Sequence, residues 1–162
     1  MAQSEKRFSL TTIAPYFDLP STRGGRVKSW DFKQRKNMLI YFFRGADCEE
    51  CKQTLRVLAE NYGVYEKLNT EVIAIGADDL RSLTALAGES GIPFPVLSDA
   101  TGEIAAKYTQ VDAESGRPKS SIFLADRYGA LEGEWVAEVE ADLPSQDELM
   151  AILQLLELRC PE

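Results

Sequence analysis

Histidine is absent from all 162 residues. That absence excludes Ser-His-Asp and Cys-His nucleophile systems, zinc sites built on imidazole, and a histidine switch near neutral pH. Cysteine is scarce, at three residues, too few and odd in number for a secreted scaffold stapled by disulfides. No stretch reaches the roughly eighteen consecutive apolar residues of a membrane-spanning helix, and the start MAQSEKRFSLTTIAPYF lacks a long apolar run followed by a small-residue cleavage site. A cytoplasmic protein is therefore expected. Positive charge is in deficit, with 18 Lys and Arg against 26 Asp and Glu for a net charge of -8. This balance opposes unspecific attraction to phosphate backbones and anionic lipid, so neither nucleic acid nor membrane is expected as a partner.

What is present fits a globular chain: 44% hydrophobic and 27% charged residues, without an internal repeat or low-complexity tract. The length suits one domain over residues 1–162, with an N-terminal extension over about 1–35 and a flexible tail over about 159–162. Residues 38–43 are continuously apolar and rich in β-formers, as in a strand buried on both faces. From Glu49 to about Leu68, apolar residues at spacings of three and four predict one helix, with Gly63 weakening its far end. A second buried strand over 71–76 precedes a helix capped by Asp78 or Asp79, with Leu80, Leu83, Leu86 and Ala87 facing inward. Pro93 and Pro95 end that helix and lead into a short strand at Val96 and Leu97. A helix over 103–108, a polar loop over 111–119, and strands over 121–125 and 131–139 follow. Ser145 and Glu148 have capping-box spacing at the start of a last helix, whose burial is expected to close the second face of the sheet. Gly24 and Gly25 mark a turn between short extended pieces near the N-terminus.

The chemistry concentrates in Arg44-Gly45-Ala46-Asp47-Cys48-Glu49-Glu50-Cys51-Lys52, where a buried strand gives way to a helix. First-turn amide groups and the helix dipole favour an anion there, so a thiol at this place has reason to ionise and react. Its neighbour, separated from it by two residues, can attack a mixed disulfide or a sulfenic acid and close the small ring. Arg44 and Lys52 favour the thiolate, while Asp47, Glu49 and Glu50 oppose it. Two other readings remain open: buried thiols that only pack, and a metal site, for which Cys160 and carboxylates are the available further ligands. Tyr41, Phe42, Phe43 and Trp135 read as core residues, and Cys160 as incidental near the chain end.

Several segments together resemble the thioredoxin-fold superfamily, and within it the alkyl hydroperoxide reductase and thiol-specific antioxidant, or peroxiredoxin-like, branch. They are Ala14-Pro15-Tyr16-Phe17-Asp18-Leu19, the strand and loop from Leu39 to Cys51, and Ile92-Pro93-Phe94-Pro95-Val96-Leu97-Ser98-Asp99. The resemblance implies an α/β fold, a three-layer sandwich with a mixed central sheet and helices on both faces. It also implies a peroxidase that works through a cysteine sulfenic acid and a Cys48–Cys51 disulfide. The family's reactive cysteine falls on Cys51 and its threonine position on Cys48, which makes Cys51 peroxidatic and Cys48 resolving. The family's proline position falls on Arg44. Its active-site arginine falls on Ser120, with Lys119 and Arg117 nearby as substitutes. Catalytic residues expected on this basis are Cys51, Cys48, Arg44 and Lys119. No haem, flavin or metal cofactor is required. A peroxide or disulfide is the expected substrate, an external thioredoxin-like or other dithiol the reductant, and a homodimer is compatible with the branch. The thioredoxin-like disulfide reductases offer the reverse order, with Cys48 attacking first and Pro118 as the candidate for a cis-proline facing the pair. A non-catalytic interaction or redox-switch protein is the third reading.

Overall fold

The apolar run at 38–43 forms the central strand of a mixed sheet. The structure is a computed structural model that describes residues 12–159, so Cys160 and the end of the tail lie outside the described residues. In chain order the elements are β1 (Asp18–Pro20), β2 (Arg26–Lys28), β3 (Asn37–Phe43), α1 (Glu49–Glu60), α2 (Tyr62–Lys67), β4 (Thr70–Gly76) and α3 (Leu80–Ser90). Then follow β5 (Val96–Ser98), α4 (Glu103–Tyr108), β6 (Ser121–Ala125), β7 (Leu131–Val136) and α5 (Gln146–Arg159), with short 3-10 turns at Ser29–Phe32 before β3 and at Glu140–Asp142 before α5. The main sheet has the order β5-β4-β3-β6-β7. Strands β3, β4 and β5 run parallel, whereas β6 and β7 are antiparallel additions.

All of β3 is buried because both its faces are covered. Side-chain alternation sends Leu39, Tyr41 and Phe43 into one layer with Leu55 and Leu58 of α1, Leu83 of α3, and Leu149, Leu153 and Leu156 of α5. Met38, Ile40 and Phe42 enter the opposite layer with Phe17, Leu19, Ala105 and Tyr108. Each such large side chain contributes about 1.5–3 kcal/mol relative to exposure. The result is the mixed sheet with helices on both faces that the sequence predicts.

Three local expectations need correction. The helix expected to reach about Leu68 breaks at Asn61, whose side-chain amide donates to the Val57 carbonyl at 2.8 Å, and α2 restarts beyond it. The last strand stops at Val136 rather than Val139. Ala137 N–H still donates to Ser120 at 2.9 Å, after which the chain turns to carry Glu140 inward. Helix α5 shares its face with α1, α2 and α3. The second face is closed instead by Phe17 and Leu19 from the N-terminal segment and by α4.

Strands β3 and β4 end side by side, with Phe43 paired to Gly76. A Cβ on Gly76 would lie 2.7 Å from the Phe43 ring, so only glycine lets the two parallel ends approach this closely. At the carboxyl end of β3, where ligands gather in open α/β sheets, the chain leaves through residues 44–48 and enters α1.

Candidate active site

Cys48 is the N-cap of α1. Its backbone is extended and its sulfur accepts a hydrogen bond from the Cys51 N–H at 3.1 Å, in the role that Ser or Asp fills at ordinary helix starts. Cys51 follows in the first turn, its Cα 5.2 Å from that of Cys48, and the two are joined in a disulfide. The loop before them is pinned by two contacts. Ala46 N–H donates to Asp78 at 3.1 Å, and Cys48 N–H to the Gly45 carbonyl at 3.2 Å. Asp79, the other acid weighed as a cap, accepts from Ser82 N–H at 2.8 Å and starts α3.

The two sulfurs have different surroundings. Cys48 is half-buried and opens on a cleft of about 680 Å³ whose walls include Arg44, Asp47, Arg117, Pro118, Lys119 and Ser120. Cys51 is fully buried, in the layer beneath. The expected Arg44 and Lys119 thus share a cleft with Cys48 but not with Cys51. The peptide bond before Pro118 is trans, so the cis-proline candidate is not realised.

Each acid flanking the pair is matched by a cation. Arg117 grips Asp47 with two bonds of 2.9 and 3.1 Å, Arg44 lies 3.3 Å from Glu50, and Lys52 lies 3.2 Å from Glu49. The Arg117 guanidinium, through hydrogen bonding first and charge second, holds the Asp47 carboxyl below its usual range. Lys119 is paired with Glu138. The competition between local acids and bases is therefore settled mostly within exposed ion pairs, each of small energy. What remains for a Cys48 thiolate is the helix N-terminus itself.

Sequence reasoning missed the group beneath the pair. Glu140, only 8% exposed, places a carboxylate oxygen 3.7 Å from the Cys51 sulfur. It accepts hydrogen bonds from Tyr41, from Thr54 at 2.6 Å, and from Ser120. Burial first and the neighbouring Glu140 charge second push the Tyr41 phenol well above its ordinary ionisation range, keeping it an O–H donor. One signal was available: a tyrosine in a strand buried on both faces must send its hydroxyl to a partner. Nothing in the pattern of residues 137–145 marks Glu140 as that partner. Cys48, Cys51 and Glu140 bring their donor atoms within 4.8 Å of one another, but with the sulfurs bonded to each other they are no metal donor set.

Comparison with known proteins agrees with this site. The chain is 28% identical over 130 residues, 74% of its length and 64% of the relative's, to a selenocysteine-containing peroxiredoxin of Peptoclostridium acidaminophilum. It is 27% identical over 126 residues, 77% of its length and 68% of the relative's, to the thiol-disulfide oxidoreductase ResA of Bacillus thuringiensis subsp. konkukian. It spans about three fifths of the length of the first peroxiredoxins it matches. The fold superposes on the crystal structure of a reduced 2-Cys peroxiredoxin from Plasmodium vivax with a TM-score of 0.82, at 21% identity, covering 93% of this chain and 97% of that one. Among the described residues no helix is long and apolar enough to cross a membrane. The sequence model of the AhpC/TSA family, finally, matches residues 10–133, from before β1 into β7, and takes in the whole loop and helix start that carry the cysteine pair; the chain belongs to the AhpC/TSA family.

Proposed function

We propose that this chain is a thiol-dependent peroxidase of the peroxiredoxin type that cycles between a Cys48, Cys51 dithiol and the Cys48–Cys51 disulfide. The observation that carries the reading is that disulfide, formed at the first turn of α1 with the Cys48 sulfur opening on a polar cleft. In the peroxide step a cysteine thiolate attacks the distal oxygen, the O–O bond breaks, and an alcohol or water leaves with a proton. The sulfenic acid is then attacked by the second cysteine, which forms the disulfide and releases hydroxide as water. An external dithiol attacks the disulfide and takes its place through a mixed disulfide, and both cysteines return as thiols.

The family register assigns the first attack to Cys51. Burial supports the opposite order: the Cys48 sulfur faces the cleft at a helix N-cap, whereas the Cys51 sulfur is fully buried, out of reach of a substrate in that cleft. We assign the first attack to Cys48 and resolution to Cys51. Arg44 and Lys119 take a secondary role as cleft-wall cations that exchange their carboxylate partners for a polarised substrate oxygen.

Stopped-flow reaction with hydrogen peroxide and an organic hydroperoxide, with sulfenic acid trapped chemically, tests both parts. Cys51→Ser should accumulate sulfenic acid on Cys48, and Cys48→Ser should lose the fast reaction. Absence of fast sulfenic acid in wild type and both variants sinks the peroxidase reading, and trapping it on Cys51 in Cys48→Ser sinks the order. The open Cys48 sulfur also favours a second reading, a protein disulfide reductase, supported by the likeness to ResA. Mixed-disulfide turnover lost first in Cys48→Ser, without peroxide reactivity, would select it.

A further inference from the structure

Four side chains from three parts of the chain converge on one buried carboxylate. Tyr41 comes from β3, Thr54 from α1, Ser120 from the residue before β6, and Cys51 from the first turn of α1; all four point at Glu140. Its partners are hydroxyls and a sulfur rather than a cation. The titratable groups that face it are Tyr41, Cys51 and, within 4.8 Å, Cys48, while Asp142 lies on its own turn and Glu138, two residues earlier, is turned to Lys119. Ser120 stands where the resembled family carries an arginine, so this chain puts a carboxylate holder under the pair.

In the reduced protein a Cys51 thiolate would stand 3.7 Å from this buried carboxylate with no cation between them, a costly arrangement that the Glu140 oxygen relieves by receiving the proton that leaves the sulfur. Glu140 also borders a second opening of about 220 Å³, framed by Gln53, Thr54, Leu143, Ser145 and Gln146, and this opening includes neither cysteine. The carboxylate therefore joins the buried sulfur to solvent on the side away from the Cys48 cleft.

The geometry points to Glu140 as the general base and acid of Cys51, exchanging its proton with solvent through the opening between α1 and the β7–α5 connection. When Cys51 resolves a Cys48 sulfenic acid or mixed disulfide, its S–H proton passes to the nearby Glu140 oxygen. The sulfur pair then attacks Cys48, and hydroxide, taken up as water, or the partner thiolate leaves. When the disulfide is reduced, Cys51 departs as a thiolate and takes the proton back. Substrate and proton thus use different faces. The tyrosine, threonine and serine are positioning residues that hold the carboxylate toward the sulfur. This assignment rests on the resolving role given to Cys51, though not on peroxide being the substrate.

The test accordingly uses no peroxide. Reduced protein carrying Cys160→Ser, so that only the pair reports, is mixed with equimolar dithiobis-nitrobenzoate. A first release of nitrothiobenzoate marks attack by one cysteine, and a second, independent of reagent concentration, marks closure by the other. In Glu140→Gln the ratio of second-phase to first-phase rate constants at pH 7 should fall by on the order of a hundredfold, the lower range for positioned proton transfer. The second phase should then climb with pH until the unaided thiol ionises, where wild type is already level. A wild-type ratio and pH profile in that variant would overturn the assignment. If Glu140→Gln fails to fold, as thermal melting would reveal, Thr54→Val reads the same step: it removes the 2.6 Å donor that holds the carboxylate toward the sulfur, so the second phase at pH 7 should slow relative to the first and its pH profile should depart from that of wild type, and an unchanged ratio and profile overturn the assignment. Loss of the sulfenic acid reaction in wild type would refute the peroxidase reading and leave this result standing.

Discussion

Asp47 immediately precedes Cys48, and its exposed carboxylate is held by the bidentate Arg117. Arg117 also packs against Gly45, where a Cβ would meet its guanidinium at 3.1 Å, so the pair spans the cleft mouth from the strand–helix loop to the polar loop after α4. Removing Asp47 takes an anion away from the thiol and frees a cation beside it, and both changes favour ionisation. Asp47→Ala should favour the Cys48 thiolate and raise its alkylation rate at pH 7 by about threefold, less at 0.5 M salt because exposed charges are screened within about 10 Å at a tenth of a molar. Iodoacetamide kinetics against pH, with Cys160 replaced, measure this directly. An unchanged midpoint would mean that the helix N-terminus alone sets the ionisation of Cys48.

The close approach of the β3 and β4 ends sets the platform from which residues 44–48 depart. Gly76→Ala would drive a methyl to within 2.7 Å of the buried Phe43 ring, next to the site loop. Overpacking of this kind costs about 1–3 kcal/mol, to be read as a lower urea midpoint at unchanged slope in the oxidised protein. The slope condition separates lost stability from a changed unfolded state. Elements of this sort were legible where a single local signal decides: β3 from an uninterrupted apolar run, α1 from its stripe of Cys51, Leu55 and Leu58, and α5 from Ser145, whose hydroxyl accepts from Glu148 N–H at 3.1 Å. The cysteine pair at a strand–helix junction was legible for the same reason. What escaped depends on contacts between distant segments. The break at Asn61 is a side chain competing for the backbone, and the choice of face by α5 depends on Phe17 and Leu19 already occupying the other. The Glu140 cluster joins residues up to 99 positions apart, which no periodicity records.

Across the whole molecule 26 acidic residues outnumber 18 basic ones, and three carboxyls are tied to the polar rim by bonds that favour their charged form. Arg117 lowers the Asp47 pKa; bonds from the Ser82 and Ser115 backbone and side chains lower those of Asp79 and Asp112. A carboxyl whose pKa is lower in the folded state stabilises the fold fully above its unfolded value, 3.8 here, and that contribution is lost as pH falls through the folded value. Acidification also relieves repulsion among the surplus acids, so the melting temperature of wild type alone mixes two opposing effects. Comparison with a variant isolates one of them. Asp79→Ala removes the α3 cap, and its melting temperature should lie below that of wild type by a constant gap from neutral pH down to about 5, where the unfolded carboxyl also remains charged. Below about 4 the gap should narrow, because the protonated cap of wild type accepts from the Ser82 amide less strongly than the carboxylate does. A gap that stays constant down to pH 2 would mean that the cap acts through its neutral oxygen and that the acid response of the fold originates elsewhere.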